Sequence, residues 1–143
     1  MTFLTEPSVV DSQRVRQAAG QARKLGLKLP TFSQLAHPES PSGRLWKDIA
    51  SVGPDEPNPA NLWRMHWYNS PDRRGRDLVP GHVVLPKAIT GVDAKIVVMF
   101  GDRFPMIGAH KVLPAYAALI EQLVTGRCDP TEQKAVWPST GNY

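Results

Sequence analysis

The sequence predicts an α/β fold, with N-terminal helices packed around part of a mostly parallel sheet. Two observations predict it. Residues 12–52 repeat apolar side chains at helical spacing between recognisable caps and stops. Residues 94–137 then run strand, loop, helix, strand, the order of a parallel β-α-β unit. The chain has 143 residues, 41% of them hydrophobic, enough to enclose a core. Its 14 prolines and 11 glycines predict many loops around that core.

The elements follow in order. Asp11 or Ser12 caps a first helix whose apolar face is Val15, Ala18, Ala19, Ala22 and Leu25, stopped by Gly26 and Pro30. Its other face carries Arg14, Arg16, Arg23 and Lys24. Thr31 and Gln34 form a capping box that opens a second short helix, closed at His37-Pro38. A third runs from Gly43 to Val52 on Leu45, Trp46, Ile49 and Ala50, before the turn-rich connector Gly53–Pro59. From Asn61 the period changes. Leu62–Tyr68 alternates as a strand with Trp63, Met65 and Trp67 on one side, followed by the charged loop Ser70–Asp77, whose Arg73, Arg74 and Arg76 are read as solvated. Val83–Leu85 is a short strand before Pro86. Ala94–Phe100 (AKIVVMF) has the continuous apolar centre of a strand buried on both faces. The loop Gly101–His110 leads into a helix starting near Lys111, striped by Leu113, Ala117, Ile120 and Val124 with Tyr116 and Leu123 flanking, and ended by Gly126. Lys134–Trp137 is the last strand, and Pro138-Ser139-Thr140-Gly141-Asn142-Tyr143 follows it.

Composition and motifs exclude several classes. The single cysteine, Cys128, rules out an intrachain disulfide and a four-cysteine zinc site. The four histidines have no ligand spacing with one another or with Cys128, so no metal site is expected. Neither a phosphate-binding P-loop, a G-x-G-x-x-G nor a G-x-S-x-G is present. No apolar run reaches membrane-span length, and Met1–Val10, with Glu6 and Pro7, lacks the order of a signal peptide. The expectation is a soluble, cytoplasmic protein. The net charge of +4 lies entirely in residues 1–76, since residues 77–143 balance. A surplus this small is read as a solvated surface. The alternative is a non-catalytic basic binding module using Arg14, Arg16, Arg23 and Lys24.

Two features point to chemistry. Lys111 sits where a strand-loop passes into a helix, and the positive end of the helix dipole disfavours an ammonium there. A neutral amine is what condensation with a carbonyl needs, so the place suits a Schiff-base lysine. It equally accommodates a lysine whose stem packs while its head reaches water. The run Ser139-Thr140-Gly141-Asn142 offers two hydroxyls, backbone N–H groups and an amide that together bind carboxylate or phosphate oxygens, or simply form a turn.

In this order and at this separation, the segment Ala94–Tyr143 resembles the N-terminal part of fold-type II pyridoxal-phosphate enzymes of the cysteine synthase group, in the tryptophan synthase β superfamily. There a strand leads into a loop bearing the Schiff-base lysine, a helix follows, and the next strand ends in a T-S-G-N-T loop. Lys111 matches the lysine, and Ser139–Tyr143 matches the loop. The resemblance implies that Lys111 holds pyridoxal 5'-phosphate and serves as base, that Asn142 binds the cofactor ring, and that Ser139, Thr140 and Gly141 grip the substrate carboxylate. It implies a lyase or transferase that eliminates or replaces a group at the β-carbon of a small amino acid, and a homo-oligomeric enzyme with no nucleic-acid or membrane partner. Residues 1–60 would be an N-terminal helical segment and residues 61–143 the first part of the cofactor-binding region. The chain departs from the pattern at Ala109, Val112 and Leu113 around the lysine, in the S-T order of the loop, and at Tyr143, which leaves the particular substrate open. The family's glycine-rich phosphate cup and its partner for the pyridine nitrogen lie downstream of the asparagine loop. The expectation is therefore an N-terminal portion, completed by further polypeptide or by a second chain.

Overall fold

Asp11 begins the first helix as the sequence predicts: its carboxylate accepts the amide N–H groups of Gln13 and Arg14 at 2.9 and 3.1 Å. In the computed structural model, which describes residues 7–136, this helix is α1, Ser12–Lys24. The chain forms two units, which are taken separately.

The first unit, Met1–Lys28 with Leu113–Gly141, holds α1 and nearly all of α5, Val112–Thr125. The amide N–H groups of Val10 and Asp11 both donate to the Thr125 carbonyl, at 2.7 and 3.2 Å, which ties the start of α1 to the end of α5. Thr125 is fully buried and its hydroxyl donates to the Glu121 carbonyl at 2.7 Å. Gly126 follows at φ +76°, and a Cβ there would lie 2.2 Å from the Asp11 carbonyl oxygen. Only glycine meets both demands. The stripe of α5 is rotated from expectation. Tyr116, predicted to flank, is its buried aromatic, while Val124 is exposed. The expected strand Lys134–Trp137 does not form over 134–136, and Trp137 lies outside the described residues.

The second unit, Leu29–Val112 with Asn142–Tyr143, contains everything else that is described. Its α2, Phe32–Ala36, opens with the predicted capping box: the Gln34 amide N–H donates to the Thr31 hydroxyl at 3.2 Å, and the Thr31 amide N–H donates to the Gln34 side chain at 2.9 Å. Helix α3, Gly43–Ala50, buries Ile49.

The predicted strand at Leu62–Tyr68 is overturned. Pro59–Arg64 is a 3₁₀ helix, with proline in its first turn and the Asn58 side chain accepting the Ala60 amide N–H at 2.9 Å. Trp63 and Met65 are buried as the alternation suggested, but a polar network places them. The Arg64 guanidinium, 1% exposed, donates to the Ile49 and Val52 carbonyls at 3.1 and 2.9 Å and to the Asn61 side chain at 2.6 Å. It therefore closes the C-terminal end of α3, where carbonyls lack helical partners. Asn61 donates to the Gly53 and Glu56 carbonyls, and Asn69 to those of Arg64 and His66. Side chains satisfy this backbone, so no strand partner is needed.

The mostly parallel sheet is also corrected. Among the described residues the sheet has two strands, β1 (His82–Leu85) and β2 (Ile96–Met99), paired antiparallel from His82↔Met99 to Leu85↔Ile96. Between them lies α4, Lys87–Thr90, ended by Gly91 at φ +68°. A short connection of this kind returns the chain beside the strand it left, which makes the pair antiparallel. The valines predicted to be buried on both faces remain 42–45% exposed.

Candidate functional site

Lys111 ends a loop that is held along its length. After β2 the chain makes a 3₁₀ turn at Gly101–Arg103, then buries Phe104 and Pro105. The Met106 amide N–H donates to the Pro54 carbonyl at 2.8 Å, and Met106 sits at φ +65°. A non-glycine residue in the left-handed region persists only where its surroundings fix it. Upstream, the Arg103 guanidinium donates to the Asp77 carboxylate at 2.9 Å and the Asn69 carbonyl at 3.2 Å, and it lies over the Phe100 ring.

An aromatic clamp sets the loop's far end. Trp67 meets Phe104 edge to face at 5.0 Å and stacks on His110 at 5.6 Å and 27°. His110 packs so closely on Gly101 that a Cβ there would lie 2.9 Å from its Nδ1. The Val112 amide N–H donates to the Ala109 carbonyl at 3.3 Å, and α5 begins at Val112. The half-buried Lys111 thus follows directly on a ring fixed from two sides. The sequence located Lys111 at the start of a helix. It did not reveal Trp67 and Phe104 as the clamp, because a contact between residues so far apart in sequence leaves no trace in spacing.

A lysine that carries a carbonyl cofactor needs a fixed backbone and a side chain partly withdrawn from water. Lys111 has both, so this part of the set fits pyridoxal phosphate. The other residues assigned by resemblance, Ser139, Thr140, Gly141 and Asn142, lie outside the described residues. Among the described residues, no group of three or more His, Cys, Asp or Glu is placed to hold a metal.

The three arginines of the Ser70–Asp77 loop are not equivalent. Arg73 pairs with Asp55, one contact measuring 2.7 Å, while Arg76 lies over the Trp46 ring at 5.5 Å. The expectation of solvated side chains is corrected for Arg73, which is partly buried in its pair with Asp55, whereas Arg76 remains exposed. On α1 the four basic residues are exposed. Arg14 is 3.5 Å from Asp11, and Arg23 and Lys24 occupy the last turn, where the helix dipole favours cations. Local helix electrostatics accounts for three of the four. Among the described residues, no helix is long and apolar enough to cross a membrane.

No protein-family model, curated protein or solved structure matches this chain.

Proposed function

We propose that the chain carries the cofactor lysine of a cytoplasmic pyridoxal-phosphate enzyme that eliminates or replaces a group at the β-carbon of a small amino acid. The observation that carries the reading is Lys111 itself: a half-buried lysine behind a clamped loop, on the last residue before α5. Lys111 Nζ would hold the cofactor and, once the substrate amino group has displaced it, the freed amine would take the proton from the substrate α-carbon. The cofactor, when bound, supplies the electron sink for that proton loss. By resemblance, the Asn142 amide orients the ring, and the Ser139 and Thr140 hydroxyls with the Gly141 N–H bind the substrate carboxylate.

A phosphate cup is still required, and further polypeptide, from the same protein or a second chain, supplies it. The exposed valines of β1 and β2, Val83 with Val98 on one face and Val84 with Val97 on the other, support this part of the reading, because they leave apolar side chains that other protein can cover. The complete enzyme is a homo-oligomer on the same reading.

The test is borohydride reduction of the protein isolated from its own cells, followed by peptide mapping. The expected result is a pyridoxyl group on Lys111. A label on Lys87 or Lys95 with Lys111 unmodified overturns the lysine assignment, and no label at all overturns the cofactor.

A further inference from the structure

We propose that Trp67 is a positioning residue for Lys111: its indole fixes the His110 ring, and with it the stretch of backbone that carries the lysine. That Lys111 is the reacting amine rests on the function proposed above, whereas the part given to Trp67 rests on packing.

Trp67 is itself firmly seated. The His66 amide N–H donates to the Arg64 carbonyl at 2.9 Å, and the Asp77 amide N–H to the Tyr68 carbonyl at 2.8 Å. The Tyr68 amide N–H donates to His66 Nδ1 at 3.2 Å. The Asn69 side chain donates to the Arg64 and His66 carbonyls at 2.7 and 2.9 Å. Arg64, His66 and Asn69 are all almost completely buried. The backbone beneath the indole therefore cannot shift without unpairing groups that water does not reach.

The loop that Trp67 meets is held by contacts outside it. Met106, at φ +65°, has a conformation that an unrestrained non-glycine residue leaves. Three contacts oppose that release: Arg103 on the Asn69 carbonyl at 3.2 Å, Met106 on the Pro54 carbonyl at 2.8 Å, and His110 on the indole at 5.6 Å. The last of these falls on the residue before Lys111. His110 is exposed, so without the indole its ring is free to swing into water in another rotamer. Gly101 restricts the same ring, since a Cβ there would lie 2.9 Å from His110 Nδ1. A displacement of about 1 Å at a reacting group costs roughly a hundredfold in rate, so the ring beside the lysine bears on its chemistry.

The test is competitive acetylation of the folded 143-residue chain with trace acetic anhydride. Peptide mapping reads the labelling of Lys111 against that of the exposed Lys24 in the same molecules. Trp67→Ala is expected to raise the ratio severalfold. Trp67→Phe, which keeps an aromatic face for His110 and Phe104, should leave it close to the parent. Gly101→Ala keeps the indole and displaces the same His110 ring, so it should raise the ratio as well. Because both changes act through one ring, their combination should raise it by less than the two effects together, whereas loosening at two independent places would add. In the protein isolated from its own cells, Trp67→Ala should also move the visible absorbance of the bound cofactor and lower kcat roughly a hundredfold with KM little changed. The proposal is overturned if Trp67→Ala labels Lys111 like the parent, if Trp67→Phe behaves like Trp67→Ala, if the two effects simply add, or if a cofactor bound at Lys111 absorbs identically in Trp67→Ala. Should Trp67→Ala not fold, Gly101→Ala decides, and a ratio equal to the parent's overturns the proposal. A protein without cofactor on Lys111 refutes the proposed function, while the acetylation ratios still decide the role of Trp67.

Discussion

Two stretches of the second unit reverse the usual rule of burial. Around residues 61–69 the polar side chains Asn61, Arg64 and Asn69 are almost completely buried. In the hairpin of β1 and β2 the apolar Val83, Val84, Val97 and Val98 stay in contact with water. Hydrogen bonding explains the difference. The first stretch folds irregularly, so its own carbonyls must be satisfied from nearby, and long polar side chains do this from inside. The hairpin satisfies its backbone through β1–β2 pairing, which leaves its side chains free to wait for whatever covers them. Hydrophobicity alone would have ranked the two regions the other way.

Removing Arg64 tests the comparison most severely. Arg64→Ala takes the guanidinium from the Val52 carbonyl and the Asn61 Oδ1, removes one of the donors to the Ile49 carbonyl, and opens a cavity, at a cost on the order of 3–5 kcal/mol. Urea unfolding of the variant measures it. Arg64→Lys should recover only part of the loss, because one ammonium cannot reproduce the fork. A loss below about 1 kcal/mol would mean that the apolar residues carry this region and that its polar network is incidental.

A pH series sharpens the same contrast. His66 is buried neutral and pushed down to about 4, chiefly by burial, whereas in the unfolded chain it titrates near 6.5. The unfolded state therefore binds the extra proton, and stability falls as pH drops through this window. The contribution is complete above about pH 6.5, is lost progressively toward pH 4, and amounts to about 3 kcal/mol. His66→Gln should flatten the slope of unfolding free energy between pH 6.5 and 4 relative to the parent. An unchanged slope would assign the acid sensitivity to carboxylates instead.

The same contrast explains what was legible in the sequence. Helices α1, α2, α3 and α5 announce themselves through local chemistry: the Asp11 cap, the Thr31–Gln34 box and the Gly126 stop each act within a few residues. The segment Leu62–Tyr68 alternates like a strand, yet its conformation is set by Arg64 reaching back to α3, which no periodicity encodes. Pro59 after Asn58 was the available sign of a helical turn. The apolar run in β2 correctly marked a strand, but direction depends on the connection, and α4 was not recognised between the two strands. The position of Lys111 before a helix was readable. The rings that hold its neighbour His110 come from Trp67 and Phe104, which only the folded chain brings together.

The smallest expected effect lies in the hairpin. Val83 faces Val98 across β1 and β2, and both are 42% exposed. Threonine keeps the branched shape and strand preference of valine while adding a hydroxyl that water can solvate. Val83→Thr combined with Val98→Thr should therefore change the stability of the 143-residue chain by no more than about 0.5 kcal/mol, the usual range at an exposed position. If another surface covers the pair, each hydroxyl is buried without a partner and the cost rises to about 1–3 kcal/mol. Urea unfolding at two protein concentrations tells the cases apart. A small cost at both confirms an uncovered hairpin. A large cost that grows with concentration means that copies of the chain cover one another's valines, because association stabilises the folded state by mass action. A large cost independent of concentration would show that the chain itself buries these valines, and the contrast with the Arg64 region would then disappear.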